Sequence, residues 1–364
     1  MKDLNEVFQN LVNKLKKLVL NKSVVAGFDG IVDEITQVVV RRDSHNSFEK
    51  MRSITDFADQ IGNAKTIGAN IEIVAVNKKL GGNGPILSNG LLAFDFPLTY
   101  IGTLGSPNIH PLFADFASRC SDIVSVADPS RTICFEFIDG KLFLCNSLNM
   151  ERANWENIVE KASLDFLKDK LGNCSLICMT DWTLLPHLNS IAINIGKVLK
   201  ATGNRETKIF VDIANPARRS DSDLLEYLNI LKNLQRHNDV YLGLNEAENS
   251  RICRMFNLAN GDAKSLCKVL EISCVCLHSS KKCSIHLNGQ SVKLPTFFNP
   301  NPKFLTGAGD NFNSGLCIGI LSNFFPTQIL ALAIATSAFF VENGFAANKD
   351  QLSSFIQKKY SPPK

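Results

Sequence analysis

The sequence predicts an α/β fold, a doubly wound and mainly parallel sheet flanked by helices, with a small antiparallel β lid. Two observations carry this. Short apolar runs recur along the chain, each ending on polar residues and followed by a helix-period stretch, as βαβ crossovers require. Three other stretches, about residues 34–41, 70–78 and 130–146, are β-branched or alternating, the last around the turn Asp139-Gly140, and read as an antiparallel patch beside the main sheet. No Pro- or Ser-rich linker divides the chain, so residues 1–364 are read as one domain.

The elements follow in order. Leu4, Val7, Phe8, Leu11, Leu15 and Leu18 recur at helical spacing with Lys14, Lys16 and Lys17 between them, which predicts an amphipathic helix laid on the domain and not a signal peptide. Val24-Val25-Ala26-Gly27 is the first buried strand and leads to Phe28-Asp29. The polar stretch from about Ser44 to Lys65 reads as helical. Four more strands end near acids, an amide or a histidine: Leu176–Met179 before Asp181, Ile209–Val211 before Asp212, Val240–Gly243 before Asn245, and Cys274–Leu277 before His278. Helical patterns over Leu188–Lys200, Leu224–Arg236 and Ala263–Leu270 supply crossovers. Sheets of this kind bind ligands beyond the carboxyl ends of their strands, where Asp181, Asp212, Asn245, Glu248 and His278 fall.

Composition excludes several classes. A net charge of +4, with Lys and Arg dispersed, argues against nucleic acid or a membrane surface as partner. No window has the length and apolarity of a membrane span. The eleven cysteines are odd in number, scattered and without a Cys-x-x-Cys, and several sit in apolar runs. They read as small core residues in a reduced, cytoplasmic compartment.

The chemistry concentrates at Thr306-Gly307-Ala308-Gly309-Asp310, followed by an apolar helical stretch. Glycines let the backbone approach a ligand, and a helix start offers unpaired N–H groups and a dipole that favours negative charge. Asp310 at the mouth of such an anion site is suited to accept the proton of an attacking hydroxyl. The same residues also suit a plain helix start capped by Asp. Asn245 and Glu248 likewise read as a helix N-cap with Glu at N3.

Together these residues resemble the ribokinase-like (PfkB-type) carbohydrate kinase family. Thr306 to Phe312 resembles its C-terminal signature, Leu80-Gly81-Gly82-Asn83-Gly84 its double-glycine signature, and Asn245-x-x-Glu248 its magnesium and phosphate motif. Asp33 resembles the substrate-binding Asp after the first strand, Asp212–Pro216 an Asp-containing turn, and Ser130 to Lys141 the lid hairpin. The resemblance runs in family order from about residue 23 to 350 and marks a divergent member. It implies an ATP-dependent, Mg2+-using kinase acting on a hydroxyl of a sugar or sugar derivative; the alternatives are a nucleoside kinase of the same fold, or a non-catalytic ligand-binding relative with a degraded nucleotide site. Asp310 would be the base and Gly307, Ala308 and Gly309 the anion hole. Asp33, Gly81, Gly82, Asn83 and Asp29 would line the acceptor site. Thr306, Asn245, His278 and Ser280 would face the nucleotide, with Glu248 and Asn245 toward the metal. Two departures stand out: Ile86 occupies the position where the family carries a sugar-contacting Asn, and Ser280-Lys281-Lys282-Cys283 replaces a Gly-x-x-Gly turn. Trp155, Trp182 and His278 also read as packing residues, and Arg131 as an exposed lid residue. A homodimer through the lid is expected.

Overall fold

The computed structural model describes residues 4–18, 21–259, 261–297, 299 and 302–360. Nine strands form the main sheet: β1 (Val24–Gly27), β5 (Leu98–Gly102), β6 (Asp122–Ser125), β9 (Leu176–Met179), β10 (Lys208–Asp212), β11 (Val240–Asn245), β12 (Cys274–His278), β13 (Lys282–Leu287) and β14 (Gln290–Pro295). Their order is β14-β13-β12-β11-β10-β9-β1-β5-β6. From β12 to β6 every pairing is parallel, and the β13–β14 hairpin closes the other edge antiparallel.

The central strands are continuous apolar runs because helices cover both faces. Alternation sends successive residues into different layers. Val24 and Ala26 pack into the core with the helices Ala308–Leu321 and Pro326–Asn343. Val25 packs into the opposite core with the helices Leu188–Thr202 and Asp221–Gln235. The first helix, Leu4–Lys16, buries Val7, Phe8, Leu11, Val12 and Leu15 and packs on the helices Pro326–Asn343 and Lys349–Tyr360.

The lid comprises β2 (Ile31–Ser44), β3 (Ser47–Lys50), β4 (Ile73–Gly81), β7 (Ser130–Phe137) and β8 (Gly140–Asn146). β2 is antiparallel to β3 and β4, and β7–β8 is a hairpin. One pairing within this lid, β2 with β7, is parallel. It arises because β2 and β7 follow β1 and β6, which already run parallel in the main sheet, and Ser130 N–H donates to Gly30 C=O at 2.9 Å where the two strands leave it.

The stretch Ser44–Lys65, expected to be helical, is divided. β3 takes Ser47–Lys50, and a helix spans Ile54–Asn63, capped by the Ser53 side chain accepting from Asp56 N–H. Residues 47–50 are mostly exposed, so this edge strand carries no apolar alternation that a sequence pattern would register. Phe57 anchors the helix against Val38, Met51 and Phe135, and Asp139 accepts from Ile54 N–H at 3.0 Å.

Candidate active site

Three adjacent strands of the main sheet end in buried carboxylates. Gly27 of β1 aligns with Met179 of β9, and Met179 with Val211 of β10. Asp29 and Asp181 each lie two residues beyond this line, and Asp212 one beyond. Asp29, Asp181 and Asp212 are 0%, 1% and 7% exposed. Asp29 Oδ1 accepts from Gly84 N–H at 3.0 Å and from the Tyr100 hydroxyl at 3.2 Å. Asp212 Oδ1 accepts from Ala214 N–H at 2.7 Å, and its Oδ2 accepts from the Asn313 amide. Asp29 Oδ2 and Asp181 Oδ2 are buried without a hydrogen-bond partner, and Asp181 sits in the left-handed region at φ 57°. Burial pushes Asp29 up to about 6. Asp181 is held well above the usual carboxylate range, by burial first and then by repulsion from Asp29 and Asp212.

These carboxylates explain the glycines opposite them. A Cβ on Gly82 would lie 2.6 Å from Asp29 Oδ2, and one on Gly84 would lie 2.4 Å from Asp29 Oδ1. Gly82 is also the residue before the helix Asn83–Leu92, at φ 97°, where a side chain is strained. A Cβ on Gly81 would meet Asp33 Oδ2 at 2.4 Å. Asp33, in β2, is 8% exposed, and its carboxyl has no hydrogen-bond partner among the described residues. Burial raises its pKa, and the Lys79 charge opposes this. Asn83 begins the helix and is half-buried. Asn89, a few residues on, accepts from Arg119 at 2.6 Å and is engaged there.

Asp310 lies in the first turn of the helix Ala308–Leu321, behind Gly307 at φ 99°. The helix start makes no side-chain cap, so the Asp capping role is not used. Asn311 instead donates from its amide to Gly307 C=O at 2.9 Å. Ala308 N–H is already donated to Leu305 C=O at 3.1 Å, which leaves the neighbouring glycine amides as the free donors of this turn. Asp310 is half-buried, and its carboxyl is held well above the usual range by desolvation, then by Asp212, Asp29 and Asp181. Ile86 comes within 3.5 Å of where a Gly307 Cβ would stand. Thr306, half-buried, forms the turn that leads in.

Asn245 and Glu248 form a complete capping box on the helix Glu246–Met255. Asn245 Oδ1 accepts from Glu248 N–H at 3.0 Å; Glu248 returns with Oε2 on Asn245 N–H at 2.8 Å and Oε1 on the Asn245 amide at 2.6 Å. Glu248 is 2% exposed, and burial, then Asp212 and Asp310, raise its pKa. Its two oxygens are thus engaged, and among the described residues no group of three or more His, Cys, Asp or Glu side chains is arranged to hold a metal. With these oxygens engaged, Glu248 and Asn245 fit an indirect rather than a direct role toward a cation.

Two cavities flank the end of β12. One of about 670 Å³ runs from Ala308, Gly309 and Phe312 to Ile334 and Val341. The other, about 910 Å³, lies over the β13–β14 hairpin, and both touch Asn245, Glu246, His278 and Ser279. His278 packs on Phe312 with ring centroids 4.8 Å apart, and burial pushes its pKa down to about 4, so the imidazole is neutral at neutral pH. Its Cε1 is 3.7 Å from a Cβ position on Gly309. Ser280, exposed in the β12–β13 turn, accepts from Thr296 Oγ1 at 2.6 Å. Cys283 lies inside β13, 2% exposed, and belongs to the core, not to the turn.

Several expected residues converge: Asp29 with Gly82, Asp33 with Gly81, and Asp310 with Gly309 and His278. Tyr100 and Asn313, which hold Asp29 and Asp212, carry no local motif, and sequence reasoning marks neither. Arg131 pairs with the buried Glu34 at 2.7 Å, and Trp182 is fully buried on Tyr227 with Arg219 over its ring.

A family model described as prokaryotic ketohexokinase matches residues 3–360. A ketohexokinase of Haloferax volcanii is 22% identical over 342 residues, covering 91% of this chain and 90% of that protein. Among solved structures, a ribokinase of Arabidopsis thaliana complexed with ribose and ATP superposes with a TM-score of 0.63 at 14% identity, covering 93% of this chain and 99% of that one. A ribokinase of Thermotoga maritima gives 0.64 at 13%, covering 93% and 100%. A nucleoside kinase of Methanocaldococcus jannaschii gives 0.62 at 13%, covering 93% and 98%. At these identities the structures establish the ribokinase-like fold. With the family match across nearly the whole chain, they identify a divergent PfkB-type carbohydrate kinase, a phosphotransferase acting on an alcohol group, that belongs to the prokaryotic ketohexokinase family.

Proposed function

We propose that this kinase transfers the γ-phosphoryl group of ATP to a hydroxyl of a ketohexose, with Asp310 as general base. The observation that carries the reading is a carboxylate of raised basicity beside free glycine amides at a helix start. Asp310 accepts the proton of the attacking hydroxyl, whose oxygen bonds to the γ-phosphorus as the bond to the ADP oxygen breaks. The amides at Gly307 and Gly309 and the helix dipole receive the charge of the transferred group. Magnesium, when bound, would supply charge neutralisation, with Glu248 and Asn245 the residues that would hold it indirectly. Asp33, held between Gly81 and Lys79 with its carboxyl open, binds acceptor hydroxyls, and Gly82 and Asn83 line the same side.

The ketohexose assignment rests on the family match and the Haloferax relative. An ADP-release assay across ketohexoses, aldohexoses, pentoses and nucleosides tests it. Fastest turnover is expected with a ketohexose; turnover led by a nucleoside, or none with any sugar, overturns it. The chain is read as one domain, acting in the cytoplasm; among the described residues no helix is long and apolar enough to cross a membrane. The lid exposes Val40, Ile73, Val76 and Phe143, which supports pairing of two lids in a homodimer. Light scattering would give twice the chain mass.

A further inference from the structure

The β13–β14 hairpin carries an unusual charge arrangement. Lys282 faces Pro295 and Ser284 faces Lys293 across it, so Lys282 and Lys293 are diagonal neighbours on one face, about 7–8 Å apart at the backbone. That face lines the larger cavity, and Lys281 in the adjoining turn lines it too. None of the three side chains makes a hydrogen bond or ion pair with a described residue. Like charges side by side are unfavourable unless something negative comes between them. The acids on the same wall offer little of that: Asp262 reaches Lys293 only at a distance, and neither acid comes between the lysines. Asp262 is engaged as the cap of the helix Ala263–Leu270, accepting from Ser265 N–H at 2.8 Å, with Lys293 near enough to help hold its pKa down. Glu246 pairs with none of the lysines.

The position of this face gives the ligand its chemistry. The lysine-lined cavity borders the one that reaches Gly309, the two sharing Asn245, Glu246, His278 and Ser279 in their linings. The neutral His278 and the mainly apolar far wall of that second cavity supply no positive charge. We propose that Lys281, Lys282 and Lys293 form an ammonium clamp on the polyphosphate chain of the bound nucleotide. The clamp rests on the reading of the chain as an ATP-dependent kinase. Flexible lysines reach a phosphate as point charges and need no close backbone approach, which Ser280 and the strand-bound Cys283 do not offer. Binding through such exposed charges is screened by salt, because the Debye length shrinks from about 10 Å at 0.1 M to about 3 Å at 1 M.

Calorimetry with ATP, ADP and adenosine at low and high salt tests this on the wild type, a Lys282→Ala/Lys293→Ala variant and a Lys282→Arg/Lys293→Arg variant. The alanine variant is expected to bind ATP and ADP roughly tenfold more weakly, to bind adenosine unchanged and to lose most of the salt dependence, while the arginine variant keeps both. Equal weakening toward all three ligands, or unchanged ATP affinity and salt dependence, overturns the clamp while leaving the kinase reading intact. A folded wild type that binds no ATP overturns both.

Discussion

The two sides of the active site solve opposite electrostatic problems. At the ends of β1, β9 and β10, Asp29, Asp181, Asp212 and Asp310 crowd together, mostly buried, with Arg218 the cation that lowers Asp181. Over the β13–β14 hairpin, Lys281, Lys282 and Lys293 line an open cavity and make no ion pair within 4 Å with a described residue. Buried carboxylates repel one another and become better proton acceptors. Exposed lysine side chains act by attraction, which salt screens. The difference teaches that this chain places basicity where water is excluded and charge where water remains.

The comparison breaks most sharply at Asp310. Asp310→Asn should lower turnover by about 10²–10⁴-fold while nucleotide affinity changes little. Single-turnover kinetics beside ADP calorimetry would check this, and near-normal turnover would remove Asp310 as the base. Next comes the packing of glycine on carboxylate. Gly82→Ala places a Cβ on Asp29 at a left-handed φ and should cost about 2–4 kcal/mol, read from urea unfolding. An unchanged midpoint would show that the turn can move away from Asp29.

The buried acids also set a pH dependence. Asp29 titrates near 6 in the folded chain against an ordinary 3.8, so the native state holds this proton more tightly than the unfolded one. Its contribution is present in full below the ordinary value and is lost as pH rises through about 6. Asp29→Asn should therefore gain stability relative to the wild type between pH 4 and 7, on the order of 2–3 kcal/mol. Parallel stability–pH curves for the two proteins would refute this. The smallest effect belongs to the lid. Arg131 is exposed, and Glu34 keeps Lys78 at 3.3 Å when Arg131 is removed, so Arg131→Ala should change stability by less than about 1 kcal/mol in thermal unfolding.

Much of the fold was legible because the buried strands are uninterrupted apolar runs and their crossover helices have clear periodicity. Ala263–Leu270 is the helix its pattern describes. Ser47–Lys50 was not legible, since an exposed polar edge strand leaves no trace in hydropathy. At the site, the sequence could mark Gly81 and Gly82 as a double-glycine signature but not explain them. The reason lies in Asp33 and Asp29, nearly fifty residues earlier, whose oxygens occupy the space a side chain would need. Asn245 and Glu248 support two readings at once: the capping box is complete, and the same pair faces Asp212 and Asp310. Ala308 looked like part of a three-residue donor set, yet its N–H is spent on Leu305, a contact no local pattern encodes.

The thiols carry a practical consequence. All eleven are free, and eight of them are buried, including Cys178 and Cys317, whose sulfurs lie 3.9 Å apart between β9 and the helix that carries Asp310. Burial raises the pKa of Cys274, Cys276 and Cys317 well above the ordinary thiol range, so the reactive thiolate is absent in the closed structure. Their rate of labelling by a thiol reagent therefore measures how often the sheet opens. Slower labelling on adding nucleotide or sugar would report ligand engagement without any assay of phosphoryl transfer.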